Sequence, residues 1–84
     1  MIYHVDRQHP MLPAGFAVMR QIGVDNWNAR VILMTPTGKQ IDIGTPREQF
    51  ENLRPPQPWD DGMQVRFDRP LMLDSKLFWP VVVL

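Results

Sequence analysis

The chain has 84 residues, of which 44% are hydrophobic and 21% charged, a composition typical of one globular domain and not of a disordered segment. Nine lysines and arginines balance nine aspartates and glutamates, so the chain lacks the basic excess that most nucleic-acid-binding domains carry. The absence of cysteine excludes disulfides, thiolate metal ligands and cysteine nucleophiles.

The first half of the chain predicts a meander of three strands. A short strand can also form before the meander, over Ile2–Val5, but prolines soon interrupt the chain. The segments "FAVMRQIG" and "WNARVILMT" then have the apolar and β-branched content of strands, and "KQIDIG" alternates isoleucine with polar residues. Between the last two, Pro36 and Gly38 suit a three-residue hairpin loop, since proline fixes φ and glycine adopts positive φ.

One short helix is predicted over "TPREQFENL". Thr45 is placed as N-cap, Pro46 as the first helical residue, and Glu48 as the capping-box partner three positions after the cap. Pro55 and Pro56 end the helix after about two turns.

The second half of the chain predicts two or three further strands. In "MQVRFD", Met63, Val65 and Phe67 alternate with polar residues, and "LML", a turn at "DSK" and the apolar run "LFWPVVVL" follow. Five to six short antiparallel strands, with the helix between the third and the fourth, are typical of a small barrel or roll, OB-like or SH3-like. We therefore expect one mainly β domain over residues 1–84.

The hairpin loop at Pro36–Gly38 predicts that Leu33 lies opposite Ile41 and Val31 opposite Ile43, on a core face. The opposite face is expected to be apolar too, with Arg20 and Arg30 facing each other across the first hairpin. We interpret this face as either covered within the chain or used as an interface, because exposed apolar patches usually bind partners. With Trp59, which follows a proline-rich stretch, the predicted partner-binding residues are Phe16, Val18, Arg20, Arg30, Ile32, Met34 and Trp59.

A single-strand nucleic-acid interface is the alternative, because small barrels bind single strands with aromatic and basic side chains. Its predicted residues are Arg20, Trp27, Arg30, Lys39, Arg66 and Phe67. The hypothesis requires that they share one exposed concave face. A third hypothesis is a small-molecule binder that uses the apolar face as one wall of its pocket.

Catalysis and metal binding have little support in the sequence. His4 and His9 lie in its least regular segment, and Asp60–Asp61 are typical of a turn. Ser75, the only serine, lacks the flanking glycines of a nucleophile elbow. We predict no enzyme activity, no metal site and no cofactor.

The C-terminal run Phe78–Leu84 contains neither charges nor amides. We expect it to be the closing strand, with Pro80 at a bulge or an edge. The other two hypotheses are a strand donated to the sheet edge of a partner and an apolar tail bound through its carboxylate.

The sequence thus predicts a small non-enzymatic protein-binding module that acts through an apolar sheet face and self-associates. An adaptor, an inhibitor or an assembly subunit fits this size, as does a protein encoded by a virus or a mobile element. The expected partner is another protein or a second copy of the chain, with nucleic acid as the alternative. The N-terminus lacks the pattern of a secretory signal and no apolar run is long enough to cross a membrane, so we expect a cytoplasmic protein without membrane contact.

Overall fold

The computed structural model describes residues 2–6, 12–51 and 63–84. This part of the chain contains eight strands, with one short helix between the fourth and the fifth. In chain order the elements are β1 (Tyr3–Asp6), β2 (Ala17–Gln21), β3 (Val31–Met34), β4 (Gln40–Gly44), α1 (Pro46–Phe50), β5 (Val65–Phe67), β6 (Leu71–Leu73), β7 (Lys76–Phe78) and β8 (Val81–Val83).

The strands β1 to β4 form an antiparallel sheet in chain order, whereas β5 pairs with β8 and β6 pairs with β7. The mainly β class is therefore confirmed, but no closed barrel is seen among the described strands. The expected count of five to six strands was too low, because the N-terminal segment adds β1 and the C-terminal segment divides into three strands. Because β1 precedes the three strands of the predicted meander, α1 follows the fourth strand of the domain and does not lie between the third and the fourth.

The loop between β3 and β4 forms as predicted. The Gly38 N–H donates to the Thr35 carbonyl at 2.9 Å, and Gly38 has a φ of +85°, where other residues are strained. Leu33 pairs with Ile41 as expected. The predicted pairing of Val31 with Ile43 is wrong, because a register shift after Val31 places it opposite Gly44.

The register between β2 and β3 differs by one residue from the predicted one. Val18 pairs with Leu33, and Arg20 pairs with Val31 instead of Arg30. A shift by one residue exchanges the two faces of a strand. Val18, expected on the interface face, is therefore 1% exposed in the core, whereas Met19 lies beside Ile32 on the other face.

The helix α1 begins as predicted. The Thr45 hydroxyl accepts a hydrogen bond from the Glu48 N–H at 3.1 Å, and Pro46 is the first helical residue. The helix ends at Phe50, and the predicted continuation after Glu51 lies outside the described residues.

One hydrophobic core joins the four-stranded sheet to the β5–β8 pair. The predicted alternation along β5 is confirmed, since Val65 and Phe67 are buried whereas Arg66 is exposed. The C-terminal run adds Trp79 and Val81 to this core, and the Asp68 N–H donates to the Pro80 carbonyl at 2.7 Å. The buried core cluster consists of Val18, Val31, Leu33, Ile41, Val65, Phe67, Trp79 and Val81.

The side-chain amide of Gln49 links α1 to β5, because it bonds to both backbone groups of Phe67 as a residue of a neighbouring strand would. Its Nε2 donates to the Phe67 carbonyl at 2.9 Å, and its Oε1 accepts from the Phe67 N–H at 2.8 Å. Both backbone groups belong to a buried residue, so each would lose its partner if this amide were removed.

We therefore expect Gln49→Ala to lower the free energy of unfolding by about 2–4 kcal/mol, since each unsatisfied buried group costs about 1–3 kcal/mol. Urea denaturation followed by circular dichroism measures the change. The matched control is Arg47→Ala, an exposed position on the same helix, for which we expect a loss below about 0.5 kcal/mol. Equal losses in the two variants would contradict the role of the Gln49 amide.

Candidate functional site

The residues predicted to form one partner-binding face do not lie together. Val18 is in the core, and Phe16 is half-buried and packs against it. Ile32 and Met34 are half-buried on the opposite face of β3. Trp59 lies outside the described residues.

The two arginines of the predicted face make contacts within the chain. Arg30 Nη1 lies 2.8 and 2.9 Å from the two carboxylate oxygens of Asp42, and its Nη2 lies 3.8 Å from Glu48 Oε1. Arg20 Cζ lies 4.5 Å from the centroid of the Phe78 ring, a cation–π distance. The charge of Arg30 is thus balanced by carboxylates of the same chain and needs none from a partner.

The residues of the alternative nucleic-acid interface also separate. Phe67 is 2% exposed, so its ring is not accessible to a base, and Arg66 points to the other face of β5. Trp27 is half-buried, with Phe50 stacked on one side at 6.3 Å and Trp79 at 5.1 Å between ring centroids. Lys39 is exposed in the β3–β4 loop. These six residues therefore do not form the shared exposed face that the nucleic-acid hypothesis requires.

Four of the ten large apolar side chains that are exposed in the described residues cluster on the hairpin of β6 and β7. The two strands are joined by a two-residue turn in which Asp74 and Ser75 have φ values of +52° and +64°, as in a type I′ turn. Four side chains of the hairpin are large, apolar and 42–63% exposed: Leu71, Met72, Leu73 and Leu77. We call these four side chains the hairpin surface.

The hairpin surface has two faces. Leu71 and Leu73 alternate with Met72 along β6, and Met72 pairs with Leu77 of β7. Side chains two residues apart lie on the same face of a strand. One face therefore carries Leu71 and Leu73 with Phe78 and Lys76 opposite them, and the other carries Met72 and Leu77. Both faces thus have large apolar side chains, and Lys76 is the one charged side chain of the two strands.

The hairpin is attached to the rest of the described domain through β7. Asn26 Nδ2 donates to the Leu77 carbonyl at 2.9 Å, and the Phe78 ring packs under the Arg20 guanidinium. Both contacts involve β7. The strand β6 is therefore the outer strand of the hairpin.

A cleft of about 390 Å³ lies beside β7. Its aromatic part is formed by Trp27 and Trp79, and Asp25 contributes a carboxylate. The hydrogen bond from the Asn28 side chain lowers the pKa of Asp25, while desolvation opposes this effect to a smaller extent. The cleft is lined by Val24, Asp25, Asn26, Trp27, Lys76, Leu77 and Trp79. Leu77 belongs to both the cleft and the hairpin surface, so the two form one continuous region.

The described part of the chain contains no group of three or more histidines and carboxylates that could hold a metal ion. His4 is exposed on β1, and Ser75 occupies the hairpin turn. His9, Asp60 and Asp61 lie outside the described residues. None of the described helical residues forms a segment long and apolar enough to cross a membrane.

Compared with protein families, with curated proteins and with solved structures, the chain matches none of them. The geometry of the hairpin and the cleft is therefore the basis for inferring a function. The sequence contained a signal for this region, because an Asp-Ser turn between the apolar segments "LML" and "LFW" is typical of a hairpin. Nothing in the sequence indicates that the hairpin is exposed, since the same pattern also fits a buried strand pair.

Proposed function

We propose that this chain is a non-enzymatic protein-binding module and that it binds through the hairpin surface. The observation that carries the proposal is the exposure of Leu71, Met72, Leu73 and Leu77 on a hairpin attached through β7. Contiguous exposed apolar side chains are typical of protein-interaction sites. This surface replaces the sheet face expected from the sequence, because Val18 of that face is buried.

The energetics of the hairpin support the same proposal. An isolated two-stranded hairpin is only marginally stable in water, whereas three or more strands with an apolar face are stable. A bound partner that adds a strand or covers the leucines would complete the unit. Burying one leucine side chain contributes about 1.5–3 kcal/mol, so a few of these side chains suffice for a specific contact.

The cleft fits this function as an accessory pocket. Its aromatic rings and Leu77 would take an apolar or aromatic side chain of a partner bound to the adjacent hairpin. A small-molecule binder remains a second candidate because the cleft volume of about 390 Å³ lies within the range of ligand pockets. Single-strand nucleic-acid binding ranks lower, because Phe67 is buried and Arg30 is already paired with Asp42.

Photo-crosslinking tests the proposed surface. A benzophenone amino acid is placed at Met72, which is 63% exposed, and in a control variant at Ile22, which is 49% exposed and lies far along the chain from the hairpin. Both are irradiated as purified protein and in extracts of the cells that express the chain. We expect protein adducts from position 72 at least tenfold above those from position 22.

The same adducts should disappear when Leu71 and Leu73 are both replaced by lysine, a change that keeps the hairpin turn intact. Mass spectrometry then identifies the adduct as a second copy or as another protein. Equal yields from positions 72 and 22, or adducts that persist in the double lysine variant, would contradict the hairpin surface as the binding site.

A further inference from the structure

The outer edge of β6 has backbone groups that point away from the hairpin. Leu73 and Lys76 flank a two-residue turn and form a hydrogen-bonded pair, so Met72 and Leu77 form the next, non-hydrogen-bonded pair. The N–H and C=O groups of Met72 and Leu77 therefore point outward. The Leu77 carbonyl confirms this direction, because it accepts from Asn26 on the β7 side.

The corresponding groups of Met72 point to the opposite side. No described residue outside the hairpin donates to or accepts from the Met72 backbone. By the same alternation, the Pro70 carbonyl and the Asp74 N–H also point outward. The edge thus presents acceptor, donor, acceptor and donor in chain order. Pro70 has no N–H, so this series begins at its carbonyl.

We propose that β6 pairs with β6 of a second copy of the chain, antiparallel and around a two-fold axis at Met72. This inference rests on the proposed function, because both need an accessible hairpin surface. The pairing would form four backbone hydrogen bonds, two between the Met72 residues and two between Asp74 and Pro70 of the other copy. The two hairpins would become a continuous sheet of four strands, which is sufficient for independent stability.

The sequence of β6 favours a second copy over an unrelated strand. Leu71 and Leu73 flank Met72 symmetrically, so a two-fold axis at Met72 places each leucine opposite a leucine of the other copy. The axis makes the two ends of the interface identical, as in the dimers that are the commonest protein oligomers.

The apolar side chains match in the same arrangement. Leu71 of one copy lies beside Leu73 of the other, so four leucines form one continuous face of the joined sheet. On the other face, the two Met72 side chains lie between the two Leu77 side chains. Both faces of the hairpin surface thus gain apolar neighbours from one pairing, as expected for cross-strand neighbours in a sheet.

Solution mass across concentration tests the pairing in the full chain. Light scattering or sedimentation should show a mass that rises from that of the 9.8 kDa chain towards twice that value. Met72→Pro removes the outward N–H without removing a bond inside the hairpin, and it should raise the dissociation constant at least tenfold. Met72→Leu keeps the N–H and should dimerise within threefold of the unchanged chain. Circular dichroism checks that both variants are folded.

A chain that keeps the mass of one copy at all concentrations would overturn the pairing. So would a folded Met72→Pro variant that dimerises normally. If the monomeric chain still forms hairpin-dependent crosslinks to another protein, only the self-pairing fails and the protein-binding function stands. If the chain stays monomeric and also forms no hairpin-dependent crosslinks, the hairpin surface has no binding role.

Discussion

Val18→Asp should leave no folded protein at room temperature. Val18 is 1% exposed and packs in the core cluster beside Leu33. An unpaired charge in such a site costs several kcal/mol. At about 0.05–0.15 kcal/mol per residue, a chain of this size has a free energy of unfolding of about 4–13 kcal/mol. The substitution therefore removes most or all of that stability. Circular dichroism and the thermal unfolding transition measure the loss.

Val24→Asp is the matched control, because the same substitution occurs at a side chain that is 44% exposed. We expect this variant to stay folded, with a change below about 0.5 kcal/mol, as is usual for surface substitutions. A folded Val18→Asp variant that had lost only its self-association would contradict the core position of Val18. It would restore the predicted register, in which Val18 lies on an interface face.

The sequence was a good guide where short-range chemistry decides the structure. Pro36 and Gly38 define a tight loop, so the pairing of Leu33 with Ile41 follows from loop length alone. Thr45 caps α1 for an equally local reason, since its hydroxyl satisfies an N–H of the first helical turn. The alternation of Val65 and Phe67 predicted their burial correctly, because a strand packed on one side shows a period of two.

The errors arose where distant residues decide the structure. No tight turn joins β2 to β3, and a connection from Ile22 to Arg30 allows more than one register. Because the register of β2 against β3 differs by one residue from the predicted one, Val18 lies on the core face and Met19 on the other face. The predicted binding face is therefore not formed. The bulge after Val31 and the contact of Gln49 with Phe67 are likewise tertiary features. Local patterns do not encode such features.

The candidate site also combines features that the sequence predicts with features that it does not. The turn at Asp74–Ser75 and the apolar side chains on both sides of it can be predicted from the sequence, but their exposure cannot. Burial depends on what the rest of the chain covers, and the core is already filled by Trp79, Val81 and the strands of the larger sheet. The leucines of β6 are exposed because β7 occupies the position next to the domain.

Deletion of Val81–Leu84 should unfold the chain, because β8 is the only described partner of β5. Val81 is 0% exposed, and its loss would leave a cavity beside Phe67. Removing a buried aliphatic side chain costs about 2–5 kcal/mol in cavity and transfer terms, and the deletion also removes the β5–β8 backbone hydrogen bonds. We expect loss of the cooperative thermal transition and of the dispersed amide signals in an NMR spectrum.

Deletion of Leu84 alone is the control that separates the closing strand from the end of the chain. Leu84 is 63% exposed, and its N–H donates to the Gln64 carbonyl at 2.8 Å. Losing this hydrogen bond should cost about 1 kcal/mol and leave the fold intact. A folded Val81–Leu84 deletion variant that no longer assembles would instead identify β8 as a strand donated to a partner. The C-terminal run would then be the binding element, and the exposed hairpin would need another explanation.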